Sequence, residues 1–182
     1  MDQGSPSKVW FAVGVGSEDV GRIDVELNDS LAPRSCRNFR RLCEGESLVA
    51  TPIDRIVRGS TVSFDDDPAT EDPEDVVARH DRPGLVSTAG KGFVVTLRAT
   101  PHFDGRRTVV GRVVSGMEVL RHLETLETDA RGAPIARVDV WSCGVVADRR
   151  RRARDGKRKR RKKEADRANK RKRSTARSPA DA

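Results

Sequence analysis

The chain has 182 residues, enough for one domain with an extension, and its 36 basic and 28 acidic residues give a net charge of +8. This charge is divided, because residues 149–182 contain 18 basic and 4 acidic residues, a net +14, whereas residues 1–148 carry −6. Three scattered cysteines and three histidines give no support to a disulfide framework or a zinc site, and they favour reduced thiols inside the cell.

The amino-terminal segment, residues 1–7, lacks the basic start and apolar run of a secretory signal. No apolar stretch in the sequence approaches the roughly 18 residues that a membrane span requires. The sequence therefore predicts a soluble protein that is not secreted and has no membrane partner.

The first half of the chain begins with two strand patterns and a helix pattern. Residues 9–15 are apolar and β-branched, and residues 21–27 alternate apolar with charged side chains, which predicts a hairpin. Pro33 suits the first turn of a helix, and apolar residues then recur at helical spacing until Gly45. We expect the first helix between these two residues.

Further strands are predicted within residues 55–64, 84–97 and 108–114. Ser115-Gly116-Met117-Glu118 has the form of a capping box, and apolar residues follow at helical spacing as far as Leu126, which predicts a second helix. A last strand starts at residue 136 and ends near Cys143 and Gly144.

Many short strands with two helices predict a mainly β protein, in which a closed antiparallel barrel is capped by the two helices. Trp10 and Trp141 are the only tryptophans, and we interpret them as core residues.

An acidic segment, residues 65–75, contains seven carboxylates and two prolines and predicts a solvated loop. It lacks the glycine and the ligand spacing of a calcium loop, so no metal is expected. A weak, salt-screened contact with the basic end of the same chain is the alternative.

Three stretches resemble the amino-terminal third of a cyclophilin, the peptidyl-prolyl isomerase family. They are Gly21-Arg-Ile-Asp-Val-Glu-Leu27 with Asn38-Phe-Arg-Arg-Leu-Cys-Glu-Gly-Glu46, and Ile53-Asp-Arg-Ile-Val57. The resemblance covers residues 8–147 and implies a cyclophilin-like barrel closed by pairing of its first and last strands. It also implies proline-containing peptide or protein segments as partners, and chemistry that needs neither cofactor nor metal.

The resemblance assigns the catalytic role to Arg55, followed by Ile56 and Gly59. The barrier to rotation about a prolyl bond arises from amide resonance, which a guanidinium weakens by hydrogen bonding around the amide. Arginine suits this role because it is always charged and offers several donors in one plane.

The proline-pocket positions depart from the family pattern. Ser60 and Thr61 replace a phenylalanine and a methionine, Ser63 and Gly92 replace glutamines, and Val94 replaces a phenylalanine. At the rim, His102 and Arg107 replace a tryptophan and a histidine, and most of a family segment after Ala89 is absent. The substrate-binding positions that the resemblance implies are Ser60, Thr61, Ser63, Ala89, Gly92, Val94, Phe103 and Arg107.

Residues 148–182 form a basic tail without large apolar residues, which predicts a disordered segment. Its basic clusters predict a nuclear localisation signal and an import receptor as partner, with RNA or DNA phosphates as an overlapping target. The residues concerned are Lys157, Arg158, Lys159, Arg160, Arg161, Lys162, Lys163, Lys170, Arg171, Lys172 and Arg173.

Three functional hypotheses follow. The first is a nuclear protein of the peptidyl-prolyl isomerase family whose degenerate pocket binds peptides or proteins with weak or no catalysis. The second is a nucleic-acid-associated scaffold whose tail binds phosphates. The third is an active isomerase that uses Arg55 in a pocket rebuilt around another residue such as Phe64 or Phe103.

Overall fold

A computed structural model of the protein describes residues 7–65, 74, 78–88 and 92–146. The strands and helices follow one another in the order that the sequence predicts, and a short 3₁₀ turn lies at Pro101–Phe103. In chain order the elements are β1 (Lys8–Val15), β2 (Glu18–Leu27), α1 (Pro33–Glu44), β3 (Ile53–Val57), β4 (Thr61–Phe64), β5 (Leu85–Thr88), β6 (Phe93–Thr96), β7 (Thr108–Ser115), α2 (Met117–Glu124) and β8 (Val138–Val146).

All eight strands form one antiparallel sheet in the order β3-β4-β6-β5-β7-β2-β1-β8. The sheet curls so that its two edge strands approach each other. An isolated bridge joins Pro52, just before β3, to Asp139 in β8. The Ala50 N–H also donates to the Val140 carbonyl at 2.7 Å. The predicted fold, a mainly β barrel with two helices, is confirmed as a nearly closed barrel.

The barrel interior is filled by residues that alternate along the strands. Phe11, Phe64 and Phe93 pack together from three strands, and the Phe64 and Phe93 rings stack with centroids 4.4 Å apart. Phe39 of α1 places its ring edge against Phe93 at 5.1 Å. Such aromatic pairs stabilise a core by about 0.5–1.5 kcal/mol each beyond area burial, so α1 is fixed to the barrel by its apolar face.

The first helix begins at Pro33, as predicted, but its amino-terminal cap comes from a distant part of the chain. The Glu74 carboxylate accepts hydrogen bonds from the Arg34 N–H at 3.1 Å, the Ser35 N–H at 2.9 Å and the Ser35 hydroxyl at 2.8 Å. Desolvation alone would raise the pKa of Glu74, but the hydrogen bonds from Ser35 and Arg34 lower it overall. Glu74 thus lies in a loop, as predicted, but it is partly buried because it caps the helix. Residues 66–73 and 75 of that segment lie outside the described part.

The second helix does not use the predicted capping box. Ser115 is the last residue of β7, where it pairs with Asp24, and its side chain makes no cap. Gly116 occupies the cap position with φ of 93°, a left-handed conformation that glycine adopts without steric cost. The helix itself is confirmed, and it buries Val119, Leu120 and Leu123.

Strands β1 and β8 pair along their length, as the resemblance implies, but the two tryptophans are not in the core. Trp141 is 38% exposed and Trp10 is half-buried, and both lie on the outer face of the sheet. Each indole covers a glycine of the neighbouring strand. A β-carbon on Gly14 would lie 1.9 Å from Cε2 of Trp141, and one on Gly144 would lie 3.0 Å from Nε1 of Trp10. The core assignment was wrong because the glycines, not the barrel interior, accommodate the rings.

The three cysteines are buried and unpaired. Burial raises the pKa of both Cys36 and Cys43 to about 12, and it also raises the pKa of Cys143. The thiol of Cys36 donates to the Val110 carbonyl at 3.1 Å. All three therefore serve as small core residues rather than as nucleophiles.

The chain divides into two units, residues 1–146 and 147–182. The second unit, which includes the whole predicted tail, lies outside the described residues. The domain limits at 147 and 148 and the tail's disorder therefore stay predictions. Within the described part, no helix is long and apolar enough to span a membrane.

Replacing Gly14 by alanine tests the packing of the closing strands. We expect Gly14→Ala to lower the free energy of unfolding by about 1–3 kcal/mol, because its β-carbon would overlap the Trp141 indole. Urea denaturation measures the change. In a Trp141→Ala background the same substitution should cost much less, and equal costs in the two backgrounds would contradict the contact.

Candidate functional site

Arg55 lies on β3 and begins a row of side chains that crosses four strands. Arg55 pairs with Ser63, Ser63 with Val94, and Val94 with Ser87. Directly paired residues point to the same face of a sheet, here the outer face of the barrel. With strands about 4.8 Å apart, Arg55 and Val94 are separated by roughly 10 Å, which leaves room for a prolyl residue between them.

Of the predicted pocket-wall positions, Thr61, Ser63 and Val94 lie on this face. Ser60, Thr61, Ser63 and Val94 are all buried, whereas Arg55 is exposed. Three of these four buried side chains are small and polar. Arg55 therefore lies beside small side chains that are mostly polar.

A loop that the sequence analysis missed supports the backbone of the Arg55 strand. The Ile56 N–H donates to the Gly132 carbonyl at 2.8 Å. Gly132 has φ of 87°, and a β-carbon there would lie 3.0 Å from the Ile56 carbonyl oxygen and 3.3 Å from Cγ of Arg55. The Asp129 carboxylate stabilises this turn by accepting two backbone N–H groups at 2.8 and 2.9 Å. An aspartate three residues before a glycine is a turn pattern that could have revealed it.

Gly92, a predicted substrate-binding position, can contribute only its backbone. A β-carbon there would lie 2.0 Å from the Asp65 carbonyl oxygen, so the chain passes too close for any side chain. The glutamine that the family pattern places at this position would not fit the present backbone. Ala89, another predicted position, lies outside the described residues.

Three residues form a hydrogen-bonded clamp that the sequence analysis did not identify, with His80 and Ser87 buried and Asp104 exposed. Asp104 Oδ1 accepts from the His80 backbone N–H at 2.8 Å and lies 2.9 Å from Nδ1 of the same ring. The His80 Nε2 atom lies 2.8 Å from Oγ of Ser87. The clamp joins the 78–84 segment, β5 and the turn after Phe103, which are separated in sequence and gave no local pattern.

The Ser87–His80–Asp104 clamp has the order of hydrogen bonds found in a catalytic triad, but it is not accessible. Both His80 and Ser87 have an exposed fraction of 0%. A nucleophile must reach its substrate, so Ser87 cannot act as one here. The clamp instead satisfies buried polar groups and holds the turn that carries Phe103.

Phe103 and Arg107, two further predicted positions, contact each other. The Arg107 guanidinium carbon lies 4.8 Å from the centroid of the Phe103 ring, within the range of a cation–π contact. The same ring packs edge-on against His80 at 5.6 Å and against His102 at 4.4 Å. Because the clamp fixes His80, it also fixes the position of Phe103.

The clamp predicts a pH-dependent contribution to stability. Hydrogen bonds from the His80 backbone and ring lower the pKa of Asp104 below its usual value of 3.8. A lowered folded-state pKa means that the contribution is present above about pH 4 and is lost as the pH falls through the folded-state value. We expect Asp104→Asn to destabilise the protein at pH 7 and to have a smaller effect at pH 3. Urea denaturation at both values measures this.

Asp19→Asn, at an exposed residue of β2, is the matched control and should change stability little at either pH. An Asp104→Asn effect of equal size at pH 7 and pH 3 would contradict the role of the charged carboxylate.

Comparison with known proteins places this arrangement in a family. Residues 12–145 match the family model described as cyclophilin type peptidyl-prolyl cis-trans isomerase/CLD. The fold is similar to that of a cyclophilin type peptidyl-prolyl cis-trans isomerase from Cryptosporidium parvum, with a TM-score of 0.68 over 79% of this chain and 99% of that one, at 20% identity.

Among curated proteins, the chain is 30% identical over 173 residues to peptidyl-prolyl cis-trans isomerase 9 of Caenorhabditis briggsae, covering 79% of this chain and 55% of that protein. It is 31% identical over 167 residues to the NK-tumor recognition proteins of mouse and human, covering 75% of this chain. It spans only 12% and 11% of those two proteins. With the family model matched over most of its barrel, the chain belongs to the cyclophilin-type peptidyl-prolyl cis-trans isomerase family.

Proposed function

We propose that the barrel binds proline-containing segments of peptides or proteins and has weak or no isomerase activity. The observation that supports this proposal is the set of small polar side chains near Arg55. Ser60, Thr61 and Ser63 are buried at positions that the family pattern gives to larger side chains. The donor that would act on the prolyl amide is present, while the apolar surface that would hold the ring is reduced.

The size of the missing apolar contacts explains why the donor alone is insufficient. A buried phenylalanine or methionine side chain contributes roughly 1.5–3 kcal/mol of transfer free energy. Losing two or three such contacts weakens the hold on the proline ring in both the bound peptide and its twisted transition state, so that weak peptide binding is expected. Arg55 then meets the prolyl amide too rarely for efficient catalysis.

The proposal is tested by exchange spectroscopy of an X-Pro peptide with the full chain. We expect peptide chemical shifts that change on binding, with cis–trans exchange peaks that are weak or absent. Any catalysis present should be lost in Arg55→Ala, because that change removes the donor, and kept in Arg121→Ala, which removes an exposed arginine of α2.

Two outcomes would contradict the proposal. Efficient exchange at catalytic protein concentrations would show that the pocket is competent. Catalysis that survives Arg55→Ala would remove the assigned role of that residue.

A second candidate is an active isomerase with a rebuilt pocket, and Phe103 is the observation in its favour. Its ring is half-buried and is held by Arg107 and by the clamped His80. Phe64 cannot share that role, because it is completely buried inside the barrel. A rebuilt pocket would therefore depend on Phe103, and Phe103→Ala should remove its activity.

The nuclear location is proposed from the tail sequence, whose basic clusters fit an import receptor. We expect a fluorescent fusion of the full chain to accumulate in the nucleus. Replacing the basic residues of 157–163 and 170–173 by glutamine should abolish the accumulation, because the positive charges are removed.

The matched control exchanges the lysines of the same clusters for arginine, which keeps the charge and should keep nuclear accumulation. A glutamine variant that still accumulates in the nucleus would contradict the assignment of the signal to these clusters.

A further inference from the structure

The outer face of β1, β2 and β8 carries both tryptophans of the chain. Side chains of directly paired residues share a face, and Trp10 pairs with Asp24 on one side and Gly144 on the other. Trp141 lies at the irregularity in β8, where it covers Gly14. This tryptophan face is formed by different strands from those that carry Arg55, Ser63 and Val94.

The indoles lie against the sheet rather than standing away from it. Each ring occupies the space above a glycine, so one of its faces meets the backbone and the opposite side is turned outward. Trp141 keeps 38% of its surface exposed. Above Trp10, the guanidinium carbon of Arg22 lies 4.5 Å from the ring centroid. Flat aromatic rings and guanidinium planes on an open sheet are the surfaces on which unpaired bases stack.

Charged groups around the rings are arranged with the cations outward. Three of the carboxylates on this side of the barrel are each paired with an arginine that is more exposed than its partner, and a further carboxylate, Asp19, is exposed opposite Gly14. The pairs are Arg22–Asp24, Arg112–Glu26 and Arg137–Asp139, with side-chain exposures of 47% and 24%, 63% and 20%, and 75% and 11%. At these three pairs an approaching ligand meets the guanidinium group before the carboxylate.

We propose that the tryptophan face binds single-stranded nucleic acid, with bases stacked on Trp141 and on the Trp10–Arg22 pair and with phosphates contacting the exposed arginines. Along β1, Trp10 and Gly14 are four residues apart, about 13 Å. This distance is several times the roughly 3.4 Å rise of stacked bases, so the two platforms receive bases that are not neighbours. Sequence tolerance is expected, because every base offers a π-face.

The exposed guanidinium groups favour a nucleic acid over an uncharged proline-rich peptide on this face. Proline-rich segments also bind between aromatic side chains, but they carry no charge that would use the outward arginines. The basic tail after Val146 adds a sequence-independent attraction for phosphates. By itself such an attraction would act equally on strands with and without bases. A preference for strands with bases therefore separates stacking on the tryptophan face from attraction by the tail.

The test uses the full chain and two oligomers of equal length and charge, oligothymidylate and its abasic counterpart. The protein has two tryptophans and no tyrosine, so its fluorescence reports directly on the proposed platforms. We expect oligothymidylate to quench the emission and to bind more tightly than the abasic strand. Trp141→Leu should weaken oligothymidylate binding about 5- to 100-fold and leave abasic binding unchanged.

Two further variants serve as controls. Trp141→Phe keeps an aromatic face and should retain most of the preference for bases, which separates stacking from a general loss of folding. Replacing the basic residues of 157–163 by glutamine should weaken binding of both oligomers by the same factor and reduce its salt dependence.

The proposal is overturned if Trp141→Leu weakens both oligomers equally while the melting temperature is kept, or changes neither. It is also overturned if an uncharged proline-rich peptide quenches the emission and oligothymidylate does not, since a peptide would then be the occupant.

Discussion

The pairing of β1 with β8 is the interaction on which the rest of the structure depends. It joins the first and last strands of the barrel, and the contact between Pro52 and Asp139 then draws the opposite edge close. The interior so enclosed holds the packed phenylalanines, and α1 is anchored to them through Phe39. Because β3 is the edge strand next to this closure, the position of Arg55 follows from the same event.

Alternation along the strands separates the fold of this protein from its chemistry. In β3 and β4 the inward residues Ile56 and Val62 are apolar and buried, whereas Arg55 and Ser63 point outward. The outward positions can change without disturbing the core, since no inward neighbour contributes to the pocket floor. A family barrel can therefore be kept intact while the side chains on its outer face change, and fold alone does not fix activity.

The features that could be predicted from the sequence are those set by residues close together in the chain. Strands and helices follow from periodicity, and Pro33 and Gly45 mark the ends of α1 because their backbone preferences are local. The clamp could not be predicted, since His80 and Asp104 are 24 positions apart and meet only in the fold. The prediction placed the tryptophans in the core because hydrophobic residues are usually buried. The glycines that they cover could be identified only from the register of β1 and β8. The family resemblance predicts a catalytic role for Arg55, but it could not show how the neighbouring side chains are buried.

The closing pair also has a consequence for how the domain folds. Lys8 pairs with Val146, so strands from opposite ends of the barrel sequence must meet before the sheet is complete. Contacts of such long sequence separation slow folding, and until they form β1 presents a free edge with unpaired N–H and C=O groups. A nascent or truncated chain that ends before β8 would keep this edge open. Such a chain should aggregate edge to edge unless a chaperone covers the strand. The yield of folded protein in a cell therefore depends on the pairing of β8 with β1.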